Sequence, residues 1–163
     1  MPKKRIDPQI AQLVRLLEQA FNRRAWHGAN FLGSLRGLTT PRLLWKPAPN
    51  RHNIWEIALH IAYWKYAVYR RMVNAPKGSF PRGPSDWPSL PAKPDRAAWK
   101  SDLSLLVNQH RLLIQAVQGL SASKLNRTPP KTKCSYLTLL QGIASHDVYH
   151  AGQVQLLKRL QKK

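Results

Sequence analysis

Apolar residues recur at helical spacing over four long stretches of this chain. In the first, Asp7-Pro8 offers an N-cap with proline at the first helical position. Ile10, Leu13, Val14, Leu17, Ala20 and Phe21 then form one stripe. The spacing continues through Phe31, Leu32 and Leu35, so the pattern predicts one helix ending at Gly37, weakened in the middle by Gly28. Thr39-Thr40-Pro41 breaks it, a short turn is expected over residues 42–45, and Pro47 and Pro49 hold the next segment extended. Asn53 and Glu56 have the spacing of a capping box, and a second helix should run from there to about Asn74.

Six prolines (Pro76, Pro81, Pro84, Pro88, Pro91, Pro94) punctuate residues 75–94, where Phe80 and Trp87 suggest a loop packed onto the body. Asp95 is placed to cap a third helix reaching Gly119, with Trp99, Leu103, Leu106, His110, Leu113 and Val117 inward. A connector over residues 120–134 is broken by Pro129-Pro130, and Ser135 would cap the fourth helix. There the stripe is Leu137, Leu140, Ile143, Ala144, Val148, Ala151, Val154, Leu157 and Leu160. No strand signal and no solenoid repeat is present, so the expected fold is all-α, a four-helix bundle forming one domain over residues 1–163. A helix of ~25 residues is ~38 Å long, and a loop of about twenty residues can span it. The proline-rich segment therefore predicts a crossover that leaves helices two and three parallel, an overhand (up-down-down-up) topology.

Composition narrows the class. The chain is 43% hydrophobic, with six Trp and five Tyr, as expected of a folded protein. No apolar run is long enough for a membrane span, and no apolar segment follows the basic start Met1-Pro2-Lys3-Lys4-Arg5, so no secretory signal is expected. Cys134 is the single cysteine, which excludes an internal disulfide and makes the cytoplasm the default compartment. It sits alone in a basic loop, and no nucleophilic role is assigned to it. The balance of 27 Lys+Arg against 7 Asp+Glu gives +20. Such a field attracts polyanions, and non-specific nucleic-acid binding is one expectation. The cations are scattered, with clusters only at Lys3-Lys4-Arg5, Arg70-Arg71 and Lys158-Arg159 with Lys162-Lys163, and no dedicated nucleic-acid motif accompanies them.

Chemistry concentrates in the fourth helix. His146 and His150 are four apart and share a face, a spacing at which two imidazoles can grip one metal ion. Among His27, His52, His60 and His110, His60 is the strongest candidate for a third ligand because Leu59 and Ile61 flank it inside the second helix. A lone histidine on an apolar face is most often a satisfied core residue, and that reading stands beside the metal for His60, His110 and His27 alike. Three imidazoles leave an open metal position, the catalytic pattern. Glu56, one turn before His60, could orient that ring from the second shell or simply close the capping box. His27 and His110 are candidate acid/base groups, with packing or surface roles as the alternative. Asp147 lies about 100° around the helix from His146 and should not join the same ion.

Ala58-Leu59-His60-Ile61-Ala62-Tyr63-Trp64, with Asp147-Val148-Tyr149-His150-Ala151-Gly152-Gln153-Val154, resembles the DinB/YfiT-like family, and Ala25-Trp26-His27-Gly28 and Trp45-Lys46-Pro47 extend the likeness. The resemblance implies an overhand four-helix bundle, often a homodimer, with three histidines on one divalent metal. One comes from the second helix and two from the fourth, here His60, His146 and His150. It further implies a metal-dependent enzyme, some members being thiol-dependent S-transferases and others isomerases or hydrolases, so a small-molecule thiol is an expected co-substrate. Zn or Ni is expected before Fe or Mn. His146-Asp147-Val148-Tyr149-His150 also has the outline of a zinc-protease H-E-x-x-H, but Asp stands where that chemistry needs Glu. An HD phosphohydrolase would need more acidic ligands than the chain supplies. The competing class is a non-enzymatic basic bundle that binds nucleic acid or a protein, with any metal structural or absent.

Overall fold

A computed structural model describes residues 6–76 and 78–162; the basic cluster Lys3-Lys4-Arg5 and Lys163 lie outside them. Among the described residues the chain is all-helical, with six α-helices, one 3-10 turn and no strand. Four helices are long: α1 (Pro8–Phe21), α4 (Ile54–Met72), α5 (Arg96–Gln118) and α6 (Tyr136–Leu160). Between α1 and α4 lie two short ones, α2 (Phe31–Ser34) and α3 (Thr40–Leu44).

Each long helix begins where a side-chain oxygen can take a free backbone N–H. Asp7 accepts from Gln9 N at 2.8 Å, Asp95 from Ala98 N at 2.9 Å and Ser135 from Thr138 N at 3.2 Å. Asn53 and Glu56 close the full reciprocal box, at 2.8 and 2.9 Å.

The first helix is shorter than its hydrophobic pattern. It stops at Phe21 rather than running to Gly37, because the amides of Asn22 and Arg23 both turn back to the Glu18 carbonyl at 2.8 Å. The chain then folds over an isolated Ala25–Gly28 bridge, where Gly28 has φ +101°, a conformation that costs glycine little. Asn30 caps the new helix α2 through Gly33 N at 2.7 Å. Phe31 and Leu35 are buried as their spacing suggests, but they reach the core by a second approach, not along a continuous helix.

Two apolar clusters fill the interior. One joins the end of α1 (Phe21) and α2 (Phe31) to the first half of α4, to Leu106 of α5, and to Ala151, Val154 and Leu157 near the end of α6. The other joins Ile10 and Leu13 of α1 to Val68 and Met72 at the end of α4, Leu113 and Val117 at the end of α5, and Leu140 and Ile143 early in α6. The proline-rich segment between α4 and α5 is pinned down. Phe80 is buried edge-on to Tyr63, and Arg82 pairs with Asp102 of α5 at 3.3 Å. Asp102 in turn accepts from the indole of the fully buried Trp55 at 2.9 Å.

Candidate metal centre

Helix α4 carries His60 and α6 carries His146 and His150, with α4 and α6 packed side by side. One helical turn separates the two histidines of α6, so their rings meet edge-on along the face that meets His60. The Nε2 atom of His146 lies 3.2 Å from Nε2 of His60 and 3.1 Å from Nε2 of His150. Two nitrogens each ~2.05 Å from a shared ion would be about 2.9 Å apart at an octahedral angle and about 3.3 Å at a tetrahedral one. The observed separations fall between these limits.

Hydrogen bonding on the far sides of the rings fixes where the lone pairs point. His60 Nδ1 donates to the Asp86 carbonyl at 2.6 Å, and His150 Nδ1 donates to Gln153 Oε1 at 2.6 Å. Both partners only accept, so both neutral rings keep their hydrogen on Nδ1 and turn a bare Nε2 inward. His146 Nε2 can supply at most one hydrogen for its two contacts, and its Nδ1 has no partner. Lone pairs therefore crowd one point, which a cation relieves. These three residues could hold a metal ion.

Electrostatics favours the ligand form. Burial lowers the pKa of all three imidazoles, bringing His146 to about 3 and His150 to about 4; for His146 the neighbouring His150, His60 and Lys65 add to the effect. The rings are neutral at pH 7, as metal ligation requires.

Aromatic rings wall the group. Trp87, from the proline-rich segment, lies flat on His60 at 3.9 Å between ring centroids, and His52 lies flat on the opposite face of the indole at 3.5 Å. Trp64 stands edge-on to His60 and His146. Clefts open on two sides. One, of about 550 Å³, reaches all three histidines past Arg51 and Tyr149; the other, of about 450 Å³, reaches His60 and His146 past Arg71 and Asp86.

The remaining candidates lie elsewhere. Glu56 is not brought to His60: its carboxylate bonds Lys46 and the Asn53 amide and lies 3.4 Å from His52, while the Asp86 carbonyl takes the orienting position on His60. The capping and ion-pair geometry draws the Glu56 side chain back toward the start of α4. His27 is exposed in the loop after α1. His110 is buried on α5 with its ring 4.0 Å from that of Phe21 and neither nitrogen partnered, and burial, then the Lys65 charge, brings its pKa to about 2. Neither His27 nor His110 lines the two clefts around the three histidines.

Asp147 faces away from the three rings and accepts from Lys65 at 2.6 Å, with both side chains fully buried. Burial raises the aspartate pKa and lowers that of the lysine, each opposed by the charge of its partner. Two contacts here carry no periodic signal in the sequence, the Asp86 carbonyl and the buried ammonium of Lys65. Trp87 was legible as a packed aromatic, whereas the Gln153 contact with His150 was not.

No helix among the described residues is long and apolar enough to cross a membrane. Neither the curated proteins nor the solved structures yield a match to this chain. The model of the DinB superfamily does match, over residues 23–154, a span that includes the histidines, the cleft past Arg71 and the proline-rich segment. The chain belongs to the DinB superfamily.

Proposed function

We propose that the protein binds one divalent metal ion through His60, His146 and His150 and works as a metal-dependent enzyme, a thiol-dependent S-transferase or a hydrolase. The observation that carries this reading is the convergence of three Nε2 atoms whose two outer rings have their hydrogens fixed on the far side. A divalent ion held there by three imidazoles supplies Lewis acidity and lowers the pKa of a coordinated water or thiol. Zn or Ni is the first choice, with Fe or Mn behind them.

The chain's own residues do the rest. The Asp86 carbonyl and Gln153 orient two of the rings, and Trp87 and Trp64 shield them from bulk water. Asp86 lines one cleft beside His60, where burial lowers the imidazole pKa and the Asp86 charge opposes that shift. His27 and His110 take no part in this scheme.

The same reading includes a single overhand bundle. The membership of the two apolar clusters supports it: the ends of α4 and α5 meet the starts of α1 and α6, while the start of α4 meets the ends of α1 and α6.

Elemental analysis of protein purified without a histidine tag tests the metal. Roughly one transition-metal ion per chain is expected, with none in His146→Ala. Failure of the wild type to retain Zn or Ni after loading and dialysis refutes the site. A panel of small-molecule thiols against electrophiles, with His150→Ala as control, tests the reaction class. The +20 charge favours a second reading, non-specific nucleic-acid binding. Affinity that falls steeply with salt and ignores sequence is its signature.

A further inference from the structure

The cleft on the Arg71 side is an elongated groove between α4 and α6. His60, Trp64, Val68 and Arg71 follow one another along a single face of α4, and all four line it. On α6, His146, Gly142 and Ile143 line the opposite wall in the reverse order. The histidines stand at one end and Arg71 at the other. His60 and Arg71 are separated by about 16 Å along the helix axis. The Arg71 side chain leans back over the Trp64 ring, 5.9 Å from its centroid. That leaves on the order of 10 Å between guanidinium and imidazoles.

Charge gives the groove a direction. The Arg71 guanidinium has no hydrogen bond or ion pair among the described residues and lies over the face of Trp64. The Asp86 side chain lies at the other end, beside His60. Between them the lining is apolar (Trp64, Val68, Ile143), and Gly142 leaves a gap: a Cβ built there meets no atom within 4 Å.

We propose that this groove is the substrate subsite for a small carboxylate with a linear apolar body. The carboxylate sits on Arg71, the body lies over Trp64 and Gly142, and the other end reaches the histidines. An anion placed the opposite way would meet the Asp86 carboxylate. Only the last element, delivery of the reacting end to a metal, rests on the function proposed above; the groove and its charge do not.

Octanoate is the probe, with octanamide as its uncharged counterpart, each titrated into metal-free and nickel-loaded protein by calorimetry and tryptophan emission. Saturable one-to-one binding of octanoate is expected in both forms. Arg71→Met should weaken octanoate about tenfold by removing a charge-assisted contact, and leave octanamide unchanged. Gly142→Leu should abolish binding of both ligands while the helix content and melting temperature hold, since leucine favours a helix over glycine. Arg111→Met, an exposed arginine on α5, should change neither.

The proposal is overturned if octanoate fails to saturate, if Arg71→Met and Arg111→Met weaken it equally, or if Gly142→Leu binds as the wild type does. Nickel stoichiometry of the same variants separates the two hypotheses. Octanoate binding without nickel uptake would sink the metal alone; nickel uptake without octanoate binding would sink the groove.

Discussion

Removing the ammonium of Lys65 should be among the most damaging single changes available in this protein. Lys65 and Asp147 are fully buried and meet at 2.6 Å between α4 and α6, with the ammonium also 4.5 Å above the Phe21 ring. Asp147 Oδ1 already lacks a partner. Lys65→Met keeps the length and apolar bulk but strands a carboxylate with no donor on either oxygen. Breaking one side of a buried pair costs about 3–5 kcal/mol, a large part of the roughly 5–15 kcal/mol that holds a domain together. For a chain of this size the melting temperature should drop by roughly 6–20 °C. Lys65→Met/Asp147→Leu removes both charges and should recover most of the loss.

The sign of the pH effect follows from the stranded group. Without Lys65 the folded-state pKa of Asp147 rises further, because burial, already the larger influence, is then unopposed. Its neutral form is present below the unfolded pKa, and stability is lost as pH rises through the folded value. The gap between Lys65→Met and wild type should therefore narrow on acidification. Urea denaturation of the three proteins between pH 5 and 8 measures this. A single variant within about 1 kcal/mol of wild type, or a double variant no better than the single, would refute the reasoning.

Other outcomes follow from separate parts of the structure. Gln153→Leu takes away the acceptor that fixes His150 and should weaken nickel or zinc binding by roughly 10–100-fold in a competition titration. Glu56→Ala opens the capping box and should cost about 1 kcal/mol in urea with metal stoichiometry unchanged, because His60 is oriented from Asp86. His110, with a pKa of about 2 in the fold and an ordinary value when unfolded, contributes stability that is full above about pH 6.5 and lost as pH falls toward 2. His110→Phe should make melting temperature less sensitive to pH between 6.5 and 4 than it is in wild type.

The helix starts were legible because each rests on a local cue: Asp7, Asn53, Asp95 and Ser135 sit before their stripes with the right offset. The first helix was overextended because Phe31 and Leu35 are core residues in phase with the stripe of α1, and periodicity does not reveal that the chain has doubled back between them. The three histidines could be picked from spacing and apolar flanks. Their supports could not. The Asp86 carbonyl is a backbone atom in a loop, where no side-chain pattern applies. Lys65 reads along the sequence as one more cation in a chain rich in them, and only the meeting of α4 with α6 shows it to be an interior charge. Glu56 had two roles open at one spacing, and the nearby Lys46 and His52 favour the local one.

His60 is far along the chain from the other two imidazoles, 86 positions before its first contact on α6. The first donor is made early and then waits through the entire proline-rich segment and α5. Chain emerging from a ribosome at about 5–20 residues per second would need some seconds to produce the second. Until α6 docks, a cation would find only isolated histidines with no common centre. Capture of an ion would thus report that the last helix has been synthesised and seated, making metal retention a test of complete assembly.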